Sequence, residues 1–184
     1  MVEEATRLFS LYGFRRTSVD EIAAAAQLAK PTLYAYFPDK DAILAAVVEA
    51  VLGCILTTAR EAAATPGPIE ARLSAVLSAK FTYLFGLVDR SPHASELLGS
   101  GSRVGAAQVE ATDKDFATIV RRLVEAADEA GELDLSRAGL TSRRLTEALL
   151  RAGHGAAYHT RTPEEHAKHL GELVTLVVAG CRPG

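Results

Sequence analysis

Cysteine is scarce in this chain: two in 184 residues, Cys54 and Cys181. Two thiols so far apart supply neither a disulfide framework nor the close spacing of a structural metal site, and such usage fits a reducing compartment. Cys54 falls in an apolar helical run and is expected to be a small core residue. A basic excess is missing too. The formal net charge is −3, so no global positive field draws nucleic acid, and any attraction must come from a local patch. Residues 1–50 hold five basic side chains (Arg7, Arg15, Arg16, Lys30, Lys40) against seven acidic ones. There is no Gly-rich phosphate loop, no nucleophile with a recognisable base and no metal motif, which argues against an enzyme and calls for no cofactor. The start, MVEEATRLF, is acidic and amphipathic, unlike a secretory signal. The longest apolar stretch, 42–56, is broken by Glu49 and too short for a bilayer. A cytoplasmic location is expected.

What is present is a globular balance, 48% hydrophobic and 23% charged, and every strong period in it is helical. Val2, Ala5, Leu8, Phe9 and Tyr12 share one face of a helix that Gly13 stops. Ser18-Val-Asp-Glu21 is a capping box and starts a helix over 19–26 with Val19, Ile22 and Ala23 inward. A third short helix fits 30–36, with Leu33 and Phe37 inward and Pro31 tolerated in the first turn. Asp39 caps a long fourth helix, whose buried face reads Ile43, Leu44, Val47, Val48, Val51, Leu52 and Ile55. Thr65-Pro-Gly-Pro68 is the clearest linker. Beyond it, 69–88 reads as a helix with Leu73, Val76, Leu77, Phe81, Leu84 and Val88 on one side. A short helix from Ser91-Pro92 fades at Gly99–Ser102. Helices follow over about 104–130, 142–159 and from Thr162-Pro-Glu-Glu165, a second capping box, to about 181. The expected fold is all-α. Residues 1–40 form a three-helix unit, 39–64 a connecting helix, and 65–184 a helical body.

The segment 17–40 holds two short helices around a brief turn, the layout of a helix-turn-helix reader of the DNA major groove. Lys30 suits guanine or a phosphate. The Thr32 hydroxyl suits either, and its methyl suits thymine. Tyr34 and Tyr36, two apart, point to different faces, one for groove or backbone and the other for a flanking phosphate. Free amides at Thr17 and Ser18 would favour a phosphate, and Lys40 would pin the backbone beyond.

The ordered patterns A-x-x-L-F-x-x-x-G-F (5–14), T-S-V-x-E-I-A (17–23) and K-P-T-L-Y-x-Y-F-x-x-K (30–40) together resemble the TetR family of bacterial transcriptional repressors. The resemblance covers about the first quarter of the chain. It implies double-stranded DNA as a partner and assigns DNA binding to Thr17, Ser18, Lys30, Pro31, Thr32, Tyr34, Ala35, Tyr36 and Lys40. It also implies a homodimer on a pseudo-palindromic operator, released by a small-molecule effector. Three positions depart from the pattern. Gln27 stands where the turn often has glycine, Ala29 where the reading helix often has a serine cap, and Ala35 where a larger polar residue is common. The basic arm that often precedes the first helix is not seen in this sequence.

In the body, the last two helices are expected to pair across a two-fold axis through Leu149, Ala152, Gly153, Ala156, Leu170, Leu173, Val174 and Val177. A pocket for an apolar effector is expected among Phe81, Leu84, Phe85, His93, Leu97, Phe116 and Val120. His166 and His169, i and i+3 on one helix, could both reach one metal ion, but without a third ligand they are expected to be interfacial or exposed. The contrasting reading is a helical ligand-binding dimer whose reading head has weakened.

Overall fold

The computed structural model describes residues 1–91, 93 and 105–184, with Arg90 described by its backbone alone. Among the described residues there are eight helices and no strand: α1 (Val2–Tyr12), α2 (Val19–Ala25), α3 (Lys30–Tyr36), α4 (Lys40–Ala64), α5 (Ile69–Arg90), α6 (Ala106–Glu129), α7 (Ser142–Gly155) and α8 (Pro163–Gly180). The short helix expected from Ser91 lies outside the described residues. The all-α expectation is correct.

The chain forms two compact units. The first takes residues 1–54 and 87–112, the second 55–86 and 113–184. The first unit thus takes in residues beyond the expected 1–40 head, and the second begins within the connecting helix. The first unit needs the front of α4 as its core. Ile43, Leu44, Val47, Val48 and Leu52 pack with Ala5, Leu8, Phe9, Ile22, Ala23 and Leu33 into one apolar cluster. It also takes in later chain: Val109 packs on that cluster, and the Ser91 hydroxyl donates to the Ser10 carbonyl. Gly105, at φ +99, lies so near Val48 that a Cβ there would sit 3.1 Å from its Cγ1. The expected buried face of α4 is correct at all seven positions. Tyr12 and Val88, expected inward, are half exposed in the last turns of their helices. Cys54 is exposed rather than in the core.

The second unit is built from the end of α4, most of α5 and α6, and α7 and α8. Its core includes Ile55, Leu73, Leu77, Phe81, Phe116, Val120, Val124, Leu149, Leu170 and Val174. Gly131, at φ +71, ends α6 in the left-handed region that favours glycine. The chain then ties back on itself. The Glu132 carboxylate accepts from the Ile69 amide at 3.1 Å, and the Asp134 amide donates to the Cys181 carbonyl at 2.7 Å. Thr162 caps α8, but Glu165 accepts from the Arg161 amide instead of closing the reciprocal bond. α7 ends at Gly155, four residues short of expectation, and His159 at φ 56 turns the chain.

α4, 25 residues long with an 18-residue stretch of mean hydropathy 2.2, is long and apolar enough to cross a bilayer by length and composition, as are residues 69–89 of α5. This corrects the reading that no stretch is long enough. Their apolar faces are spent on the cores just described, as core helices require.

Candidate nucleic-acid interface

The reading head is assembled by local bonds that the sequence spells out. The Ser18 hydroxyl accepts from the Glu21 amide at 3.2 Å, and the Glu21 carboxylate accepts from the Ser18 amide at 2.7 Å. The Ser18 amide, then the Ser18 hydroxyl, which lies 2.8 Å from the same carboxylate as a donor, hold the Glu21 carboxyl below its ordinary value. The turn after α2 closes with Gln27 amide to Ala24 carbonyl at 3.1 Å and Leu28 amide to Ala23 carbonyl at 2.8 Å. Gln27 sits at φ 55, so the turn does require the left-handed backbone. That conformation costs an L-residue about 1–2 kcal/mol. Gln27→Gly is therefore expected to raise the unfolding free energy by about 1 kcal/mol, read from urea unfolding. An unchanged or lowered midpoint would show that the Gln27 side chain compensates. Ala29 caps α3 without a side-chain bond.

α3 is fastened by one buried residue, Leu33. Lys30, Pro31, Thr32, Tyr34, Ala35 and Tyr36 are all exposed, Tyr36 at 69%. A helix that buries one residue in seven presents nearly its whole surface outward. Lys30 is not idle there: its ammonium meets the Asp20 carboxylate of α2 at 2.7 Å. The hydrogen bond to Asp20, then its charge, raises the Lys30 pKa above the ordinary value. Asp20 was given no role in the sequence, because nothing in a ten-residue separation marks the pair.

Two expected phosphate contacts change character. Thr17 is buried; its hydroxyl donates to the Gly13 carbonyl at 2.9 Å and its amide to the same oxygen at 3.2 Å. With the Ser18 amide held by Glu21, the free amides expected at Thr17 and Ser18 are already used. Lys40 reaches back across the head instead of outward. Its ammonium donates to the carbonyls of Phe14 at 2.9 Å and Thr17 at 3.1 Å and sits 4.6 Å from the Phe14 ring centre. Both residues build the turn between α1 and α2. In that turn Arg15 and Arg16, also given no role, are exposed and make no ion pair among the described residues.

The candidate residues of the second unit are mostly inside it. Phe81 meets Phe116 edge-on at 6.1 Å and His154 at 4.8 Å. The buried Lys80 side chain lies by both phenylalanine rings and bonds Asp113 at 2.7 Å. Phe85 stacks on His166 at 4.9 Å, and Thr82 bonds the His166 ring at 3.0 Å. Burial, then the nearby His169, lowers the His166 pKa. His169 bonds Thr160 at 3.0 Å, so each ring has its own hydroxyl partner. No metal-competent cluster of three occurs among the described residues. Val120 is buried and Leu84 half-buried. His93 belongs to the first unit, and Leu97 lies outside the described residues.

Of the expected dimer residues, Leu149, Gly153, Ala156, Leu170 and Val174 are buried within their own chain. Gly153 is small because the Phe81 ring occupies its Cβ position. Ala152, Leu173 and Val177 are half-buried. The large apolar side chains turned outward are Tyr158 and Leu176, at 79% and 75% exposure. Neither was in the expected set, although Leu176 lies one turn from Leu173.

Residues 2–47 match the family model described as bacterial regulatory proteins, tetR family. No curated protein matches the chain. Among solved structures, a TetR/AcrR-family transcriptional regulator from Thermobifida fusca is 24% identical with a TM-score of 0.72, covering 94% of this chain and 93% of that one. FadR from Bacillus subtilis, solved with stearoyl-CoA, is 17% identical with a TM-score of 0.71, covering 98% and 97%. A TetR-like transcriptional regulator from Rhodococcus sp. RHA1 is 25% identical with a TM-score of 0.62, covering 97% and 93%.

Proposed function

We propose that this chain, which belongs to the tetR family of bacterial regulatory proteins through residues 2–47, is a ligand-responsive transcriptional regulator. It binds a pseudo-palindromic operator as a homodimer and acts as a repressor that an apolar effector releases. The observation that carries the reading is α3, anchored by Leu33 alone with Lys30, Thr32, Tyr34 and Tyr36 outward. Such a helix fits the major groove with its N-terminal side chains at base edges. The exposed Arg15 and Arg16, beside the start of α2, supply the local positive charge that the overall composition withholds.

Dimer formation uses the outward apolar side chains Tyr158 and Leu176, with the half-buried Leu173 and Val177 beside them. Two-fold pairing sets two α3 helices about 34 Å apart, one turn of the duplex. The effector displaces part of the aromatic group around Phe81, Phe85 and Phe116. FadR from Bacillus subtilis, of similar fold, was solved in complex with stearoyl-CoA, which supports ligand binding by this fold. Release follows by linkage: a ligand that prefers a head placement unlike the DNA-bound one weakens operator binding by the same factor that DNA weakens ligand binding.

A band-shift assay with DNA flanking the chain's own gene tests the reading. Specific retardation, competed only by the same sequence, is the expected result. No retardation even at about 50 mM salt, where phosphate contacts are strongest, would favour a ligand-binding dimer with a weakened head, to which the uncapped Ala29 and the strained Gln27 would contribute.

Asp20 sets a further expectation. It occupies Lys30 as a phosphate would, so DNA has to displace it. Asp20→Asn should tighten operator binding about threefold to tenfold, in the range of one charge-assisted contact, measured by fluorescence anisotropy. Weaker binding would mean that the pair positions α3 rather than competing with DNA.

A further inference from the structure

A groove of about 360 Å³ opens in the second unit where the end of α4 and the start of α5 meet α6. Three arginines line it, one from each helix: Arg60, Arg72 and Arg122. Ala63, Ile119 and Leu123 give it an apolar wall, and no carboxylate lines it among the described residues. One sign of charge is thus concentrated in a chain whose net charge is −3.

Two of the three arginines have nothing to hold. Arg60 and Arg122 make no hydrogen bond or ion pair among the described residues. The sequence explains why. On a helix an arginine meets its carboxylate three or four residues away, as Arg7 meets Glu4, Arg121 meets Glu125 and Arg143 meets Glu147. Around Arg60 those positions hold Leu56, Thr57, Ala63 and Ala64. Around Arg122 the one acid is Glu125, whose carboxylate already accepts from Arg121 at 3.4 Å and from the Ser142 hydroxyl at 3.0 Å.

Arg72 is held instead. Its side chain is 23% exposed, its Nε and Nη2 donate to the Ala63 carbonyl at 3.4 and 3.1 Å, and its Nη1 lies 3.6 Å from the Glu132 carboxylate. These contacts engage at most three of the five guanidinium N–H groups and leave two. They also cover a carbonyl at the C-terminal end of α4, where the helix dipole would otherwise repel an anion.

We propose that this groove binds a phosphomonoester with a short apolar body. Arg72 is the fixed point of the head site, and the unpaired Arg60 and Arg122 close on the remaining oxygens, because a guanidinium fork matches phosphate geometry. Three cations with a single, distant counter-ion suit a dianion better than one carboxylate. The body lies along Ile119 and Leu123. The volume is at the lower end of ligand clefts, about 300–1,000 Å³, which suits a metabolite-sized phosphate. The site is separate from the aromatic group, and its test needs no operator, so it stands or falls apart from the DNA-binding reading.

Calorimetric titration of the full chain with hexyl phosphate, inorganic phosphate and hexanoate tests it, at low salt and above the second phosphate pKa of about 6. Hexyl phosphate is expected to bind. Inorganic phosphate should be weaker by about fivefold or more without the apolar body, and hexanoate by about tenfold or more without the second charge. Arg60→Gln and Arg122→Gln should each weaken hexyl phosphate by about fivefold or more, at an unchanged melting temperature, since neither arginine has a partner to lose. Arg143→Gln, at an 83% exposed side chain outside the groove, is the control and should change nothing. Silence from hexyl phosphate, or equal binding of either other anion, overturns the proposal. So does an equal loss in Arg143→Gln, which would mean that the anion answers to net charge alone. A groove variant that keeps its affinity or melts lower overturns it too, by making that arginine a bystander or a structural residue.

Discussion

Replacing Lys30, Tyr34 and Tyr36 together with alanine is expected to abolish specific operator binding, a loss of at least about a hundredfold, while leaving the head folded. The first half rests on what each side chain offers DNA. A base-reading contact contributes about 1–3 kcal/mol, and a lost phosphate contact lowers the salt dependence by about one unit per site. A dimer carries each contact twice. The second half rests on burial. All three side chains are outside the apolar cluster of the first unit, Lys30 with 52% and Tyr36 with 69% exposure. Surface changes of this kind usually shift stability by about 0.5 kcal/mol or less. Lys30 also gives up its exposed pair with Asp20, which costs little. Anisotropy across a salt series, with a urea melt of the same preparation, reads both halves. Retained specific binding would remove α3 from the interface. A collapsed melt would mean that the tyrosines hold the head together. Leu33→Ala is the useful contrast, because its fully buried side chain should cost about 2–5 kcal/mol of stability.

The second large effect lies in the body. Gly153→Val is expected to destabilise the second unit by about 3 kcal/mol, toward the upper end for overpacking. An ideal Cβ at Gly153 would fall 2.4, 2.5 and 2.9 Å from three carbons of the Phe81 ring. Real carbon atoms do not approach so closely, so the ring must move. It has little room, being flanked by Phe116 and His154. Helix propensity opposes the clash, but a helical valine gains only a fraction of the about 1 kcal/mol that separates glycine from alanine. The steric term decides the sign. In a protein of this size the melting temperature should fall by about 6–12 °C. A double-mutant cycle with Phe81→Ala isolates the cause: the paired variant should be more stable than the sum of the single losses predicts. Additive losses would place the fault elsewhere than in the ring contact.

The same contact explains where the sequence was readable and where it was not. Every residue that periodicity placed inward on α4 is buried because one helix face obeys one rule; only Ala59, further along, went unnamed. The Ser18–Glu21 box was legible for the same reason: it needs only residues three apart. A stripe of small residues in α7 carries no such label. It allows close approach, but not the identity of what approaches, and at Gly153 the visitor is Phe81 of the same chain. The bonds of Thr17 and Lys40 were illegible for a related reason. Residue type made both suitable for phosphate, yet their partners are carbonyls reached only when the head folds, up to 26 residues away for Lys40. The pair of Asp20 and Lys30, and the meeting of Arg60, Arg72 and Arg122 on one groove, are also facts of three-dimensional neighbourhood. Helix content, buried faces and the outward edge of α3 follow from short-range patterns. The pairing of polar groups does not.

Lys40 has a mechanical consequence. Its ammonium moors the chain between α1 and α2 to the first residue of α4, at the carbonyls of both Phe14 and Thr17. Ser18 begins α2 immediately afterwards, so the start of the reading pair is hitched to the foot of the long helix. A tilt at that foot would tow the pair along as cargo, with no slack for the head to stay behind.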